Sequence, residues 1–382
     1  MRRLISVLVL AGLLAACSSS GHSATAPTTP TSATTTTTVP ITPKCTATNP
    51  PKLTRIDLTV GGKSRYALVH IPAHWNGKTA VPLILSFHGL GANAKQQAGT
   101  DGFAAYGDKD NFIVAYPQAG GTLSNFGAAW DLKGNSEITF VNALLAALEQ
   151  RACIDRARIY ATGLSYGGAM TDLVACNLAD SFAKVAPVSA YLPARPCTPA
   201  RPVPVMSFHG VEDHLLPYNG ASRSGQRPFE AWGADWAKRN GCTSGPTTTQ
   251  YKSTVEQLQY SGCKAPVILY RVHHNGHTWP GHPLNLNRQA LIDYFSGKTT
   301  GKPYPLMVAL GLKPAEFADT ISLANTDIDA SSMILAFFGL EKPAASSSAA
   351  AQSVMTGGRG SGALVNVTLF NSTRPRPVRL AR

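Results

Sequence analysis

The stretch that decides the fold is residues 159–170, which read Ile-Tyr-Ala-Thr-Gly-Leu-Ser-Tyr-Gly-Gly-Ala-Met. Its first four residues are typical of a buried strand, and its last residues continue into a helical pattern. The turn between them is Gly163-Leu164-Ser165-Tyr166-Gly167. A serine at such a turn projects its hydroxyl above the sheet, beside a helix N-terminus whose dipole favours a developing negative charge. The sequence therefore predicts Ser165 as a nucleophile.

The glycines on either side of this serine have a steric reason. In so tight a turn, a Cβ at Gly163 or Gly167 would collide with the neighbouring strand or helix. The alternative is a glycine-rich strand-to-helix turn that contains a serine by chance. The strand pattern before the turn and the helix pattern after it favour the nucleophile.

A nucleophilic serine needs a base, and the base needs an acid to orient it. Asp213 follows the apolar run 203–208, which places it at the C-terminal end of a predicted strand, and Glu212 is the competing acid. His277 follows the apolar run 267–272 and is the predicted base. The order Ser, Asp, His along the chain is the order found in α/β folds that use this chemistry.

Other histidines receive lesser roles. His273 and His274 are interpreted as core or surface residues, and zinc is disfavoured because no carboxylate or cysteine joins them at ligand spacing. We expect no metal and no cofactor. The run His88-Gly89-Leu90-Gly91 follows a buried strand, so the backbone N–H groups of Leu90 and Tyr166 are the expected oxyanion donors. His88 is expected to support that loop by hydrogen bonding.

Strand and helix patterns alternate through the middle of the chain. Gly61-Gly62 separates two alternating runs and predicts a hairpin. The nearly all-apolar strands predict an α/β fold whose central sheet is mostly parallel, with helices on both faces. Strands are predicted at 56–60, 65–71, 81–87, 112–116, 158–162, 184–188, 203–208 and 267–272, and helices at 136–151 (Ser136 as N-cap), 167–178, 229–239 and 329–338.

The N-terminus predicts export. Arg2-Arg3 precedes a short apolar run, so residues 1–16 are interpreted as a signal peptide. Leu14-Ala15-Ala16-Cys17 resembles a bacterial lipobox, which implies lipidation at Cys17 and an anchor on the outer face of the cell membrane. An ordinary signal peptide, giving a secreted protein, is the alternative. Residues 17–44 are rich in Thr and Pro and are predicted to form a disordered tether.

Six further cysteines suit an exported chain with three disulfides. Cys242 with Cys263 and Cys176 with Cys197 would close local loops. Cys45 and Cys153 are left to pair by elimination.

The net charge of +13, from 34 basic and 21 acidic residues, suggests nucleic-acid binding at first sight. However, removing the two N-terminal arginines and the net charge of five in the tail 341–382 leaves +6 over a large domain. That domain has no basic run interleaved with aromatic residues. A nucleic-acid partner is therefore not expected, and the basic tail is predicted to be disordered.

Five stretches of the sequence together carry a family resemblance: Cys153-Ile154-Asp155, the stretch 159–170, Phe208-His209-Gly210 with Asp213, Leu216-Pro217-Tyr218, and Gly276-His277-Thr278-Trp279-Pro280-Gly281. They resemble the secreted polyhydroxybutyrate depolymerase and feruloyl/acetylxylan esterase family, and they also look similar to mycobacterial esterase-like lipoproteins. The resemblance implies an α/β-hydrolase fold, no metal, and hydrolysis of carboxylic esters through an acyl-enzyme, with Trp279 as a supporting residue.

The catalytic domain is therefore predicted to span 45–340. Residues 282–328 exceed what the family leads us to expect, and they form an insertion near the active-site mouth or a surface excursion far from it. The expected substrate is a small-molecule or polymer-linked ester, with a membrane contact only through the lipid. A peptidase or thioesterase with the same triad and a non-catalytic binding lipoprotein are the alternatives.

Overall fold

A computed structural model describes residues 55–123, 127–190, 196–220, 227–283 and 287–340 of the chain. The predictions for the signal peptide, Cys17, the tether, Cys45 and the tail 341–382 lie outside these residues. Within the described residues, no helix is long and apolar enough to cross a membrane.

Strands and helices alternate along the described chain. The strands are β1 (Arg55–Val60), β2 (Lys63–His70), β3 (Val81–Phe87), β4 (Ile113–Pro117), β5 (Gly121–Thr122), β6 (Ala128–Ala129), β7 (Ile154–Leu164), β8 (Lys184–Val188), β9 (Val205–Gly210), β10 (Ser244–Lys252), β11 (Val255–Ser261) and β12 (Val267–Val272). The helices are α1 (Ala94–Asp101), α2 (Phe103–Asp110), α3 (Ser136–Arg151), α4 (Tyr166–Asn177), α5 (Phe229–Arg239), α6 (Arg288–Phe295), α7 (Pro305–Leu310), α8 (Pro314–Ser322) and α9 (Ala330–Phe338).

The described strands other than β5 and β6 form one sheet in the order β1-β2-β4-β3-β7-β8-β9-β12-β11-β10. All five pairings from β4 to β12 are parallel, whereas β1, β2, β11 and β10 add antiparallel edges. The mostly parallel sheet predicted from the sequence is confirmed. Because β7, β9 and β12 run in the same direction, the residues that follow them emerge at one edge.

Each face of the sheet carries its own layer of helices. Successive side chains of a strand point to opposite faces, so Leu83 and Leu85 of β3 face one apolar cluster and Ile84 faces the other. The first cluster includes residues of α3, α4 and α5, and the second includes residues of α1, α2 and α9. A third, smaller cluster lies among α6, α7 and α8. The prediction of helices on both faces is confirmed.

Helices α1 and α2 and the short strands β5 and β6 are not among the elements predicted from the sequence. Two further details also differ from the prediction. Asn135, not Ser136, is the N-cap of α3, because Ser136 is already the first residue of the helix. The Ser136 hydroxyl donates to Asp131 Oδ2 at 2.9 Å. The hairpin β10–β11 has no counterpart among the predicted strands. Every residue of β10 is exposed, so this strand lacks the apolar alternation by which a strand is recognised.

Two disulfides join described residues: Cys176 to Cys197 and Cys242 to Cys263. These are the two pairs expected to close local loops. Cys153 is disulfide-bonded as well, and its expected partner Cys45 lies outside the described residues.

The turn between β7 and α4 allows no side chain on its glycines. A Cβ at Gly163 would lie 2.6 Å from backbone atoms of both Gly167 and Phe87, and one at Gly167 would collide with the carbonyl oxygen of Phe87. These are backbone atoms in the middle of the sheet, which cannot rotate away as a flexible side chain could. The absence of a Cβ is what allows α4 to start directly against β3.

Gly167→Ala should therefore lower the free energy of unfolding by about 1–3 kcal/mol or more, because the new methyl overpacks a rigid contact. Gly99→Ala is the matched control. Gly99 lies in α1, and a methyl added to it would meet no described atom within 4 Å beyond its chain neighbours and the backbone of its own helix, so its replacement should raise that free energy by about 0.5–1 kcal/mol. Chemical denaturation measures both, and equal stability of Gly167→Ala and wild type would contradict the steric argument.

Candidate active site

Ser165 occupies the strained position between β7 and α4. Its backbone has φ 58° and ψ −120°, a conformation that costs a non-glycine residue about 1–3 kcal/mol. The Ser165 N–H donates to the carbonyl of Val188 at 2.9 Å, and its own carbonyl accepts from Ala169 N–H at 3.0 Å. These bonds hold the residue in place with its side chain at the N-terminus of α4.

Asp213 and His277 form a buried pair. His277 Nδ1 donates to Asp213 Oδ2 at 2.7 Å, because a carboxylate can only accept. The other oxygen of Asp213 accepts from the backbone N–H groups of Leu215 at 2.9 Å and Leu216 at 2.8 Å. The pair therefore fixes the tautomer of the neutral imidazole, in which the proton is on Nδ1 and the lone pair on Nε2. Nε2 is buried and has no hydrogen-bond partner among the described residues.

Strand β8 and the residues after it link the serine to the loop that follows β12 and carries His277, the predicted base. This loop is called the base loop below. Ser165 N–H bonds Val188 at the end of β8, and the hydroxyl of the next residue, Ser189, donates to the carbonyl of Thr278 at 3.1 Å. Thr278 directly follows His277. The three predicted residues thus lie at the same edge of the sheet, with the acid and the base in direct contact.

The competing acid, Glu212, lies in a different environment. Its carboxylate accepts from Asn275 N–H at 3.2 Å and is 4.0 Å from His274 Nδ1. About a third of the side chain is exposed, whereas the Asp213 side chain is fully buried. Geometry therefore favours Asp213 as the partner of His277.

His209 belongs to the motif Phe208-His209-Gly210, but the sequence alone predicts no role for it. It is buried, its Nε2 donates to the carbonyl of Leu216 at 2.7 Å, and the same nitrogen lies 3.6 Å from Asp213 Oδ2. Burial lowers the pKa of His209. The imidazole is therefore neutral at neutral pH. Its hydrogen bond to Leu216 holds the loop that follows β9 and carries Asp213, called the acid loop below, without adding a positive charge beside Asp213.

His88 supports the opposite side of the site. Its Nε2 accepts from Ala119 N–H at 3.1 Å, which leaves Nδ1 to donate to the carbonyl of Gly89 at 2.8 Å. Burial lowers the pKa of His88 to about 4, so the ring is neutral, as this bonding pattern requires. The Trp130 ring packs against the imidazole at an interplanar angle of 39°, and its indole N–H donates to the His88 carbonyl at 2.8 Å.

Gly89, which precedes the expected oxyanion donor Leu90, lies close to Ser165. A Cβ on Gly89 would be 3.5 Å from the Ser165 Cβ. Tyr166 is the first residue of α4, and the first N–H groups of a helix have no acceptor within it. The assignment of Leu90 and Tyr166 as donors remains a prediction.

Trp279 and two asparagines hold the base loop. Trp279 is buried, packs edge-on against Phe103, and donates to the hydroxyl of Ser331 at 2.9 Å. Asn275 accepts from Asn325 N–H at 3.0 Å, and the Asn325 side chain donates to the carbonyl of His273 at 2.7 Å. Sequence reasoning missed both asparagines, since nothing in the pattern connects positions fifty residues apart.

A parallel sheet flanked by helices, with a serine at a strand-to-helix turn and an Asp–His pair at the same edge, defines an α/β-hydrolase. Residues 104–195 match the model of the prolyl oligopeptidase family, Peptidase S9. That match includes the turn with Ser165 but not Asp213 or His277.

Within this class the chain is similar to feruloyl and acetylxylan esterases. It is 33% identical over 220 residues to feruloyl esterase B of Piromyces equi, covering 53% of this chain and 40% of that protein. It is 29% identical over 260 residues to the putative esterase NocK of Nocardia uniformis subsp. tsuyamanensis, covering 60% and 74%. It is also 29% identical over 150 residues to the bifunctional acetylxylan esterase/xylanase XynS20E of Neocallimastix patriciarum, covering 39% and 22%.

Among solved structures, an acetyl xylan esterase from Aspergillus awamori aligns with a TM-score of 0.44 and 15% identity, over 59% of this chain and 94% of that one. Of the two sequence relatives described first, the chain spans less than half of the length of feruloyl esterase B and about three quarters of the length of NocK.

Neutral His88 makes the stability of the protein depend on pH. Its pKa in the folded state, about 4, lies below the unfolded value near 6.5. The unfolded chain therefore binds the proton first, and this group's contribution to stability is lost as the pH falls from 6.5 towards 4. The loss should reach about 3 kcal/mol.

His88→Gln removes this titration while keeping a side-chain acceptor. Between pH 7 and pH 4, its free energy of unfolding should fall by about 3 kcal/mol less than that of wild type, as measured by denaturant titration at each pH. His274→Gln is the control, because 72% of the His274 side chain is exposed, and it should follow wild type. A His88→Gln profile parallel to wild type would rule out His88 as the source.

Proposed function

We propose that this chain is a serine carboxylic-ester hydrolase that acts through an acyl-enzyme on short acyl, acetyl or hydroxycinnamoyl esters. One observation carries the proposal. A buried Asp213 holds His277 by Nδ1, which leaves the buried Nε2 without a partner among the described residues, at the same sheet edge as Ser165. The similarity to proteins named feruloyl esterase and acetylxylan esterase supports the ester as substrate.

In the proposed acylation, the Ser165 Oγ attacks the ester carbonyl carbon and its proton moves to His277 Nε2. The carbonyl oxygen becomes an oxyanion, which the N–H groups of Leu90 and Tyr166 and the N-terminus of α4 would stabilise. Asp213 stabilises the imidazolium that forms. Collapse of the intermediate breaks the bond to the alcohol oxygen, and His277 returns the proton to that oxygen, so the alcohol leaves and the acyl group stays on Ser165.

In the proposed deacylation, water replaces the alcohol. His277 Nε2 removes a proton from the water as its oxygen attacks the acyl carbon, and the same proton returns to Ser165 Oγ as the acyl–oxygen bond breaks. The products are the carboxylic acid and the free serine. No metal or cofactor enters either half-reaction.

We also propose that the chain is exported and that Cys17 carries a lipid. The sequence around Cys17 and the disulfides Cys176–Cys197 and Cys242–Cys263 support export, because disulfides persist in oxidising compartments. A lipidated Cys17 would keep the enzyme on the outer face of the membrane, and the segment 17–44 would give it reach.

An ester screen tests the reaction class. We expect wild type to hydrolyse para-nitrophenyl acetate and a hydroxycinnamoyl ester, and to be labelled by a fluorophosphonate on one peptide that contains Ser165. Ser165→Ala should lose the hydrolysis of both esters and the fluorophosphonate label, because the proposed mechanism has no other nucleophile. Ser253→Ala changes an exposed serine that donates to Asp327 and should behave as wild type.

The same screen includes a para-nitroanilide and a thioester. Faster turnover of either of these than of the esters would replace the esterase proposal by a peptidase or thioesterase. Binding of esters without turnover or labelling would indicate a non-catalytic binding protein instead.

Asp213→Asn and Glu212→Gln compare two adjacent acids. An amide at position 213 can no longer hold the imidazole in the required tautomer or stabilise the imidazolium, so kcat should fall by orders of magnitude, about 10⁴-fold in the serine-protease triad. Glu212→Gln should lower kcat less than about threefold, because Glu212 contacts the loop at Asn275 rather than His277. Near-normal activity of Asp213→Asn together with a disabled Glu212→Gln would transfer the acid role to Glu212.

A further inference from the structure

Thr320 of helix α8 contacts both the acid loop, which carries Asp213, and the base loop, which carries His277. Thr320 is fully buried. Its carbonyl accepts from His277 N–H at 2.5 Å, and its hydroxyl oxygen accepts from His214 N–H at 3.0 Å. His214 directly follows Asp213. One residue therefore contacts the backbone of the acid loop and the backbone of the base itself.

The base loop lies directly on the end of α8. A Cβ on Gly276 would collide with the carbonyl of Thr320, so the glycine before the base allows this close approach. Gly276 N–H donates to the carbonyl of Leu323 at 2.9 Å, and the Thr278 hydroxyl donates to the same oxygen at 2.8 Å. Both neighbours of His277 in the sequence are thus bonded to the chain just after α8.

Helix α8 is itself fixed by packing. Phe317 and Ala318 belong to the small apolar cluster that joins α6, α7 and α8, and Leu215 of the acid loop packs against that cluster. The Leu215 N–H is one of the two donors to Asp213 Oδ1. The segment 282–328, which the sequence marks as an insertion, therefore makes two kinds of contact with the site. Its apolar cluster packs against Leu215 of the acid loop, and its Thr320 is hydrogen-bonded to both loops.

We propose that Thr320 is a positioning residue that sets the relative placement of Asp213 and His277; this inference rests on the proposed function. The 2.7 Å bond between acid and base joins two loops that follow different strands. Two hydrogen bonds to the same rigid residue restrict the movement of one loop against the other. Misplacement of a catalytic group by about 1 Å can cost about 10²-fold in rate.

The hydroxyl is the part of Thr320 that a substitution can remove. Thr320→Val keeps the shape of the side chain and loses the bond to His214, Thr320→Ala loses it without branched bulk, and Thr320→Ser keeps it. Ser322→Ala is the matched control on the same helix, because the Ser322 hydroxyl donates within α8, to the carbonyl of Ala318 at 2.7 Å, rather than to either loop.

Two measurements distinguish positioning from general stability. The first is kcat for para-nitrophenyl acetate per active site titrated with a fluorophosphonate, which excludes unfolded molecules. We expect Thr320→Val and Thr320→Ala to lower it about 10- to 100-fold with KM within about twofold of wild type, and Thr320→Ser and Ser322→Ala to stay within about threefold. The second is the low-field proton NMR signal of His277 Nδ1–H, which should persist in Thr320→Ser and broaden or disappear in Thr320→Val.

A wild-type kcat per titrated site and an unchanged proton signal in Thr320→Val, even with a lower melting temperature, would reduce Thr320 to a structural role and overturn the inference. If Thr320→Val does not fold, Thr320→Ala decides by the same two criteria. If wild type neither hydrolyses esters nor binds the fluorophosphonate, the proposed function fails. The proton signal, which needs no turnover, then decides by itself whether Thr320 positions the Asp213–His277 pair.

Discussion

The close contact between the β7–α4 turn and the carbonyl of Phe87 is the constraint on which the rest of the site depends. Gly163 and Gly167 allow α4 to begin against the end of β3, with Ser165 between them in a strained conformation of positive φ. A strained serine persists only where its surroundings over-determine it. Here the parallel strands on both sides supply those surroundings, since β3 limits the turn on one side and Val188 of β8 accepts the Ser165 N–H on the other. The central sheet therefore determines where the hydroxyl lies.

Different hydrogen-bonding groups hold the two sides of the site around this serine. One side contains the expected oxyanion donors and the other contains the Asp213–His277 pair. On the oxyanion side, a neutral, buried His88 exchanges hydrogen bonds with Ala119 and Gly89, so the loop depends on a polar group that stays uncharged. On the side of the Asp213–His277 pair, the carboxyl oxygens of Asp213 accept hydrogen bonds from Leu215 and Leu216 of its own loop and from His277. A buried polar group without a hydrogen bond costs free energy, so most such groups are paired. Each side therefore loses its geometry if one of its hydrogen-bond partners is removed.

The sequence predicted what depends on local pattern. The apolar runs predicted the parallel strands, and the motifs around Ser165, Asp213 and His277 predicted residues that the fold brings to one edge. It missed β10, whose side chains are all exposed, because no buried face produces a pattern there. It also left the placement of segment 282–328 open between two alternatives. The contact of Thr320 with His277 and His214 joins positions 43 and 106 residues apart, and a single sequence contains no signal for such a pairing.

Helix α9 is bonded to the base loop through the hydroxyl of Ser331. The Asp101 carboxyl is fully buried and accepts hydrogen bonds from Ser86, Tyr116 and the backbone of Phe103, while burial raises its pKa to about 6. Its backbone carbonyl accepts from the hydroxyl of Ser331 in α9, and that hydroxyl oxygen accepts from Trp279. Trp279 is two residues after His277, so the base loop is bonded to α9 after the histidine and to α8 at the histidine itself. A loop fixed on both sides has few ways to move the imidazole, which is what the proposed role of His277 as general base requires.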